Sequence, residues 1–167
     1  MGMKGIRLYP LYHDYAINDP ACIELVKRAR DFGISVAFTL RMVDSRQRAW
    51  NDISKEWTLK DVMPVIREVP DAKYLILNVA NSMTLSPEDT ELLKKADVLI
   101  DTSGRSLTNP GELINKFGKE KFAFGTHSPI LDYLTGLLRI ESLRENEADE
   151  VTKKLLRSGN ARRFLGV

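Results

Sequence analysis

The sequence has a single cysteine, two histidines and almost no excess of charge of either sign. One cysteine, Cys22, excludes an internal disulfide framework and any cysteine-rich zinc site. The 25 basic and 23 acidic residues leave a net charge of +2, so the basic excess that nucleic-acid binding needs is missing. No apolar run approaches the ~18 residues of a membrane span, and the N-terminal segment has no apolar signal region. We therefore expect a cytoplasmic protein with a reduced thiol and without nucleic-acid or membrane partners.

The chain of 167 residues has the size and composition of one soluble domain, which we expect to span residues 1–167. Hydrophobic residues make up 43% and charged residues 29%, which is an ordinary balance for a protein with a real core. Five short apolar runs alternate with amphipathic stretches, and this alternation predicts an α/β fold with a parallel sheet. The runs are continuous, as expected for strands covered on both faces. They are Gly5–Tyr9, Ser35–Leu40, Lys73–Val79, Asp97–Asp101 and Phe122–Thr126.

Helix starts are predicted where a capping side chain precedes proline, because the cap accepts a backbone N–H and proline has none to lose. This pattern occurs four times, at Asp19-Pro20, Ser86-Pro87, Asn109-Pro110 and Ser128-Pro129. The second helix starts after either Thr58 or Asp61, because Pro64 suits a first turn. Two more helices are predicted near Leu131–Leu143 and Glu147–Arg157, with a short turn after Asn160.

Connections from strand to helix are longer than those from helix to strand, which places the functional face at the carboxyl ends of the strands. Polar side chains cluster at these ends. We predict a catalytic set and a substrate-binding set there, with imidazole as general acid or base and guanidinium as a clamp for a carboxylate or phosphate. The catalytic candidates are His13, His127 and Asp101, and the binding candidates are Arg41, Asp44, Arg46 and Asn78.

Each candidate also has a structural interpretation that the sequence leaves open. His13 and the arginines suit a solvated loop, and Asp101 suits a turn cap. Arg41 and Asp44 can pair with each other, and Asn78 can bond a neighbouring strand end. Two tryptophans, Trp50 and Trp57, are predicted to anchor a long loop, and Cys22 is predicted to be an inert core residue. The sequence contains no GxGxxG, P-loop, HExxH or GxSxG motif.

Three segments resemble the amidohydrolase-2 group of metal-dependent TIM-barrel hydrolases, which includes decarboxylases and lactonases. They are KGIRLYP at Lys4–Pro10, FAFGTHSP at Phe122–Pro129 and GNARRFLG at Gly159–Gly166. The last two resemble the F-G-T-D-x-P final strand and the closing G-N-A-x-R-L-F-G of the group. The resemblance implies that this chain corresponds to strands four to eight of an eight-stranded barrel.

The resemblance also implies that the metal-ligand positions have changed. The H-x-H strand has no counterpart here, the two later histidines align with Thr39 and Asn78, and the final aspartate aligns with His127. We therefore expect no cofactor, with a divalent metal such as zinc as the alternative.

Two functions follow as hypotheses. The first is a hydrolase-like enzyme that hydrolyses or decarboxylates a small carboxylated metabolite. The second is a catalytically inactive, metal-free subunit or small-molecule binding module derived from such a barrel. Five barrel strands leave two open edges, so we expect a homo-oligomer or a separate chain that supplies the missing strands, unless the five strands flatten into an open sheet.

Overall fold

Five parallel strands form one sheet in which each strand pairs with the next along the chain. The computed structural model describes residues 2–41, 49–50, 57–79, 83–103, 109–129 and 132–167. The strands are β1 (Gly5–Leu8), β2 (Ser35–Thr39), β3 (Lys73–Leu77), β4 (Asp97–Asp101) and β5 (Phe122–Ala123). All five predicted strands are present, and four of them end earlier than predicted. The α/β fold class is confirmed.

Helices separate the strands, as the alternating pattern predicts. They are α1 (Pro20–Asp31), α2 (Leu59–Glu68), α3 (Pro87–Lys95), α4 (Pro110–Phe117), α5 (Tyr133–Glu141), α6 (Glu150–Lys154) and α7 (Asn160–Leu165). A 3₁₀ turn (Lys119–Lys121) precedes β5, and a π-helical turn (Leu155–Gly159) joins α6 to α7. The short turn predicted after Asn160 is therefore a helix. Within the described ranges, none of the helices is long and apolar enough to cross a bilayer.

Two of the four predicted caps form as expected. Asp19 accepts from the backbone N–H of Ala21 at 2.8 Å, and Ser86 accepts from that of Asp89 at 3.1 Å. Asn109 also precedes its helix, but its side-chain amide donates to Glu112 instead.

The helix start predicted at Ser128-Pro129 is wrong. Helix α5 begins at Tyr133, and Asp132 caps it by accepting from the backbone N–H of Thr135. The backbone N–H of Ser128 donates to Thr126 Oγ1, so this segment forms a separate turn ahead of the helix. Aspartate and serine are comparable caps, and the chain uses the later one.

Helix α2 starts after Thr58, the first of the two predicted alternatives. The backbone N–H and the hydroxyl of Thr58 both donate to Asp61 Oδ2, at 2.7 and 2.8 Å. Pro64 then lies inside the helix rather than in its first turn, which corrects the expectation. The backbone bond that Pro64 cannot make belongs to the carbonyl of Lys60, an exposed residue where water can supply the missing donor.

The two faces of the sheet are unequally covered. Helices pack on the face that carries Phe38, Tyr74 and Ile100, which are all buried. On the opposite face, Phe164 of α7 packs against Leu99 and Ala123. Strand β3 alternates between buried and half-buried residues, whereas β2 and the two-residue β5 are buried along their whole length. The prediction that every strand is covered on both faces is therefore wrong. The less covered, open face is the one that carries Asp101.

Candidate functional site

Four polar side chains meet at the carboxyl ends of β3, β4 and β5. Asp101 is the last residue of β4, Asn78 follows β3, and Ser103 and His127 lie in the segments after β4 and β5. Ser103 Oγ lies 2.5 Å from Asp101 Oδ2, and Asn78 Nδ2 lies 2.6 Å from Ser103 Oγ. The same Asn78 nitrogen lies 2.8 Å from His127 Nδ1. A continuous chain of hydrogen bonds therefore joins the carboxyl group to the imidazole.

The direction of each bond follows from the number of protons available. An ionised Asp101 only accepts, so the single hydroxyl proton of Ser103 points to it. Ser103 Oγ then accepts from the Asn78 amide, whose second proton points to His127 Nδ1. With the amide in this orientation, His127 accepts at Nδ1 and carries a proton on Nε2.

Left-handed backbone conformations orient two of these residues. Asn78 has φ of 59° and His127 has φ of 55°. Alternation along β3 would direct the Asn78 side chain to the helix-covered face, and its left-handed conformation breaks that alternation. Such conformations cost about 1–3 kcal/mol in a non-glycine residue and cluster at functional sites.

Burial dominates the electrostatics of Asp101. Removal from water raises the pKa of its carboxyl group above the ordinary value, although Ser103, the backbone N–H of Asn78 and the nearby His127 act in the opposite direction. The Asn78 backbone N–H donates to Asp101 Oδ1 at 2.8 Å. Gly125 allows this close packing, because a Cβ there would lie 2.7 Å from Asp101 Oδ2. Arg139 of α5 adds positive charge nearby and donates to the carbonyl of Thr102.

His13 lies in a different environment. Its ring packs between Tyr9 and Tyr15, with centroid separations of 6.0 and 6.4 Å, and lines a cavity of about 380 Å³ together with Cys22 and Asp19. His13 follows β1 and His127 follows β5, four strand spacings or about 19 Å along the sheet. The contacts described join Asp101, Asn78 and His127 to one another and place His13 in a separate aromatic cluster.

The predicted binding residues are only partly described. Arg41 follows β2 by two residues and is half-buried, whereas Asp44 and Arg46 lie outside the described residues. Two further polar residues were missed as site members. Ser103 links Asp101 to Asn78. The sequence feature that could have identified it is its hydroxyl group, two residues after the carboxylate at the end of a strand. Arg7 donates to Thr39 Oγ1 at 2.8 Å on the open face, and its signal was a charge inside an apolar strand.

The remaining sequence predictions concern packing. Cys22 is buried in α1 as predicted, and burial raises the pKa of its thiol to about 11. Trp57 packs against the main core, which confirms it as an anchor. Trp50 is 97% exposed, so its predicted anchoring role is wrong.

The donor set does not fit a bound metal ion. Among the residues that the structure describes, no three histidine, cysteine, aspartate or glutamate side chains converge on one point. The two candidate ligands at the site are already engaged: Asp101 accepts hydrogen bonds from Ser103 and from the backbone N–H of Asn78, and His127 Nδ1 faces the Asn78 amide. A catalytic zinc needs three protein ligands and an open position, which this arrangement does not offer.

No family model and no curated protein match the chain. Solved structures do. Amidohydrolase 2 from Bifidobacterium longum subsp. infantis is 18% identical with a TM-score of 0.60, over 98% of this chain and 61% of that one. The chain has the fold of part of an amidohydrolase-2 barrel. This confirms the predicted resemblance at the level of the fold.

Two decarboxylases share this amidohydrolase-2-like fold. Dihydroxybenzoic acid decarboxylase from Polaromonas sp. JS666, with bound manganese and the inhibitor 2-nitroresorcinol, is 12% identical with a TM-score of 0.62, over 91% of this chain and 55% of that one. A 2,6-dihydroxybenzoate decarboxylase complexed with 2,6-dihydroxybenzoate is 13% identical with a TM-score of 0.64, over 92% and 57%. This chain spans 61%, 55% and 57% of the length of these three structures.

Proposed function

We propose that the protein binds a small carboxylated molecule and catalyses its decarboxylation with His127 as the proton donor. The observation that carries this proposal is the hydrogen-bonded chain from Asp101 through Ser103 and Asn78 to His127. Such a chain holds an imidazole in a set orientation next to a buried acid, which is what proton transfer to a reacting atom requires. The presence of decarboxylases among proteins of the same fold supports this reaction class.

The proposed step balances without a further reactant. The bond between the substrate carbon and its carboxylate breaks, carbon dioxide leaves, and the remaining electron pair takes a proton from the imidazolium form of His127. Water then returns a proton to the ring. A substrate that delocalises the electron pair is needed, such as a hydroxylated aromatic acid or a β-keto acid.

Positive charge near the site supports an anionic substrate. Arg41 is half-buried beyond the end of β2, and Arg7 lies on the open face with its guanidinium 4.9 Å from the centre of the Tyr9 ring. Guanidinium groups bind carboxylates through paired hydrogen bonds. We keep Arg41, Asp44, Arg46 and Asn78 as the proposed substrate-binding residues.

A non-catalytic binding module is the second candidate. Thr39, Asn78 and His127 stand where the resemblance places metal ligands, and the donor set described does not fit a metal ion. A barrel that has lost its metal can keep its pocket for a carboxylated ligand.

Carbon dioxide release from a panel of hydroxybenzoates and β-keto acids separates these candidates. We expect turnover with the full chain and, in heavy water, one deuterium at the carbon that lost its carboxylate. His127→Ala should abolish turnover, whereas Ser128→Ala, a change at the adjacent exposed residue, should keep it. Ligand-induced NMR shifts without turnover would favour the binding module. Turnover that survives in His127→Ala would contradict the mechanism.

We also propose that the chain associates with a second copy or with a chain that supplies further strands. β1 and β5 are the edges of the sheet, and α5 exposes Leu134 and Leu138, each 61% accessible. Exposed edges and apolar patches favour association. The solution mass of the purified chain tests this, and a monomer at high concentration would contradict self-association.

A further inference from the structure

We propose that Ser103 and Asn78 relay the protonation state of Asp101 to His127, so that the carboxyl group selects which ring nitrogen carries the proton. This deepens the proposed function, on which its consequence for turnover rests. The tautomer itself can be observed without any substrate. Ser103 and Asn78 are positioning residues in this scheme, because they act through the imidazole.

With Asp101 ionised, the carboxylate accepts from Ser103, and the other hydrogen bonds of the chain follow from this. The Ser103 hydroxyl donates to Asp101 Oδ2, and the Asn78 amide donates both to Ser103 Oγ and to His127 Nδ1. The ring proton is then on Nε2. In this state His127 presents a hydrogen-bond donor at Nε2 and has no lone pair there to act as a base.

With Asp101 protonated, every bond between the carboxyl and the ring reverses. The acid O–H donates to Ser103 Oγ, whose own proton turns toward Asn78. The Asn78 amide rotates by half a turn, so that Oδ1 accepts from Ser103 and from His127 Nδ1–H. One proton is gained on Asp101, and the ring exchanges its Nε2 proton for one on Nδ1 through water. His127 now has a lone pair on Nε2 and can take a second proton there.

The surroundings of Asn78 permit this reversal. Its oxygen and nitrogen have nearly the same size, so the rotation changes no packing volume. The side chain is 5% exposed, and Oδ1 has no hydrogen-bond partner among the residues described, so neither orientation satisfies the whole amide. The backbone bond from Asn78 N–H to Asp101 Oδ1 is the same in both states. Whether Asp101 carries a proton therefore determines the direction of the hydrogen bonds between Asp101 and His127.

Asp101 can reach its neutral form in this environment. Burial raises the pKa of its carboxyl group. Across the described ranges, the charged or titratable groups that face it are His127 from the segment after β5 and Arg139 from α5. Both favour the ionised form when positively charged, so they oppose the effect of burial.

The proposal links the acid to catalysis through the imidazolium. A doubly protonated His127 carries a proton on Nδ1 and needs an acceptor there, which the reversed Asn78 amide supplies. The proton donor of the proposed decarboxylation therefore belongs to the state in which Asp101 is neutral. An ionised Asp101 favours the neutral ring through the hydrogen-bond chain, because Nδ1 is then an acceptor, and this effect opposes the through-space attraction between the carboxylate and the imidazolium.

Nitrogen-15 NMR of the His127 ring tests the relay at about pH 8, where an ordinary imidazole is neutral. Asp101→Asn mimics the neutral acid, because its amide oxygen accepts from Asn78 N–H and its NH₂ group donates to Ser103. We expect a change from a roughly tenfold excess of the Nε2–H tautomer in the wild type to a roughly tenfold excess of the Nδ1–H tautomer, the ratio that one net hydrogen bond supports. Asp97→Asn, at the other end of β4, is the matched control and should leave the tautomer unchanged.

Ser103→Ala provides the second arm, and it is informative even if Asp101→Asn does not fold. Alone, it should remove the strong preference for one tautomer, because the amide loses the group that sets its direction. Combined with Asp101→Asn, it should remove most of the effect of that change. Retention of the Nε2–H tautomer in folded Asp101→Asn or in Ser103→Ala would overturn the relay. A full tautomer change in the double variant would overturn it as well, since the carboxyl would then act through space. Absence of decarboxylation leaves these outcomes readable, so the two proposals fail separately.

Discussion

The protein contains two buried asparagines that look alike in burial and differ in what surrounds their amides. Asn78 is 5% exposed and Asn160 is 1% exposed, and both have an Oδ1 atom without a hydrogen-bond partner in the part of the chain described. The Asn160 NH₂ group donates to the backbone carbonyls of Lys119 and Phe122, at 2.7 and 2.8 Å. The Asn78 NH₂ group faces a hydroxyl and an imidazole nitrogen.

Because of this difference in surroundings, the Asn160 amide stabilises the fold in one orientation, whereas the Asn78 amide can form hydrogen bonds in two orientations. Backbone carbonyls only accept, so Asn160 has one satisfactory orientation and fixes α7 to the start of β5. A hydroxyl and an imidazole nitrogen can each donate or accept, so Asn78 has two. This also explains why Asn160 belongs to the closing GNARRFLG segment, since it ties the C-terminal helix to the sheet.

The largest expected effect is on stability, from Asn160→Ala. This change leaves the buried carbonyl of Phe122 and the carbonyl of the exposed residue Lys119 without their side-chain donor, and we expect the free energy of unfolding to fall by about 1–3 kcal/mol. Turnover per folded molecule should stay the same. Chemical denaturation measures the first quantity, and active-site-normalised rates measure the second. A variant with full stability would show that the comparison between the two amides is wrong.

Asn78→Gly should have the opposite profile. Glycine relieves the left-handed backbone of this position, which offsets part of the hydrogen bonds lost to Ser103 and His127, so the stability cost should be smaller than in Asn160→Ala, while loss of the His127 partner should lower turnover about 100-fold. Denaturation and steady-state rates, measured on the same sample as for Asn160→Ala, give a direct contrast. Equal losses of stability in both variants would remove the distinction.

The pH dependence of stability tests whether the pKa of Asp101 is raised in the folded protein. An acid whose pKa is raised in the folded state binds more protons than the unfolded chain, so its contribution to stability is present below the unfolded pKa of about 3.9 and is lost as pH rises through the folded value. Asp101→Asn should therefore gain stability relative to the wild type at pH 8 and show little gain at pH 3. The denaturation midpoints at the two pH values test this, with Asp97→Asn as the control. A larger gain at pH 3 would contradict the sign.

The smallest effect is expected from His13→Ala. The imidazole packs between two tyrosine rings and has no described contact with the network of Asp101. We expect a change of about 0.5 kcal/mol in stability, and a change in turnover of roughly twofold, the size typical of substitutions away from buried networks. Loss of turnover as large as in His127→Ala would return His13 to the catalytic set.

The sequence predicted much of this architecture from local rules. Strand starts at Ser35, Lys73 and Asp97 match the structure, because apolar runs follow directly on helix-ending residues. The strand-end rule also selected Asp101, Asn78 and His127, which the fold brings together. Strand ends were overestimated because Val79 and Phe124 extend the apolar runs of β3 and β5 but lie outside the ladder.

The remainder depends on geometry that no local pattern encodes. The left-handed conformations of Asn78 and His127 determine which side chains meet, and they follow from packing between strands that are distant in sequence. Ser103 acquires its role only when β3 and β5 flank β4. The separation of His13 from His127 likewise follows from strand order, which places the first and last strands at opposite edges.

Helix α7 covers part of the open face of the sheet. Phe164 packs against Leu99 and Ala123, and Lys73 Nζ donates to the carbonyl of Phe164 at 3.4 Å, so this face is covered toward the start of the strands. In the part of the chain that the structure describes, Asp101 is therefore reached from the side of the loops, and we expect the substrate and the product of the proposed reaction to pass on that side.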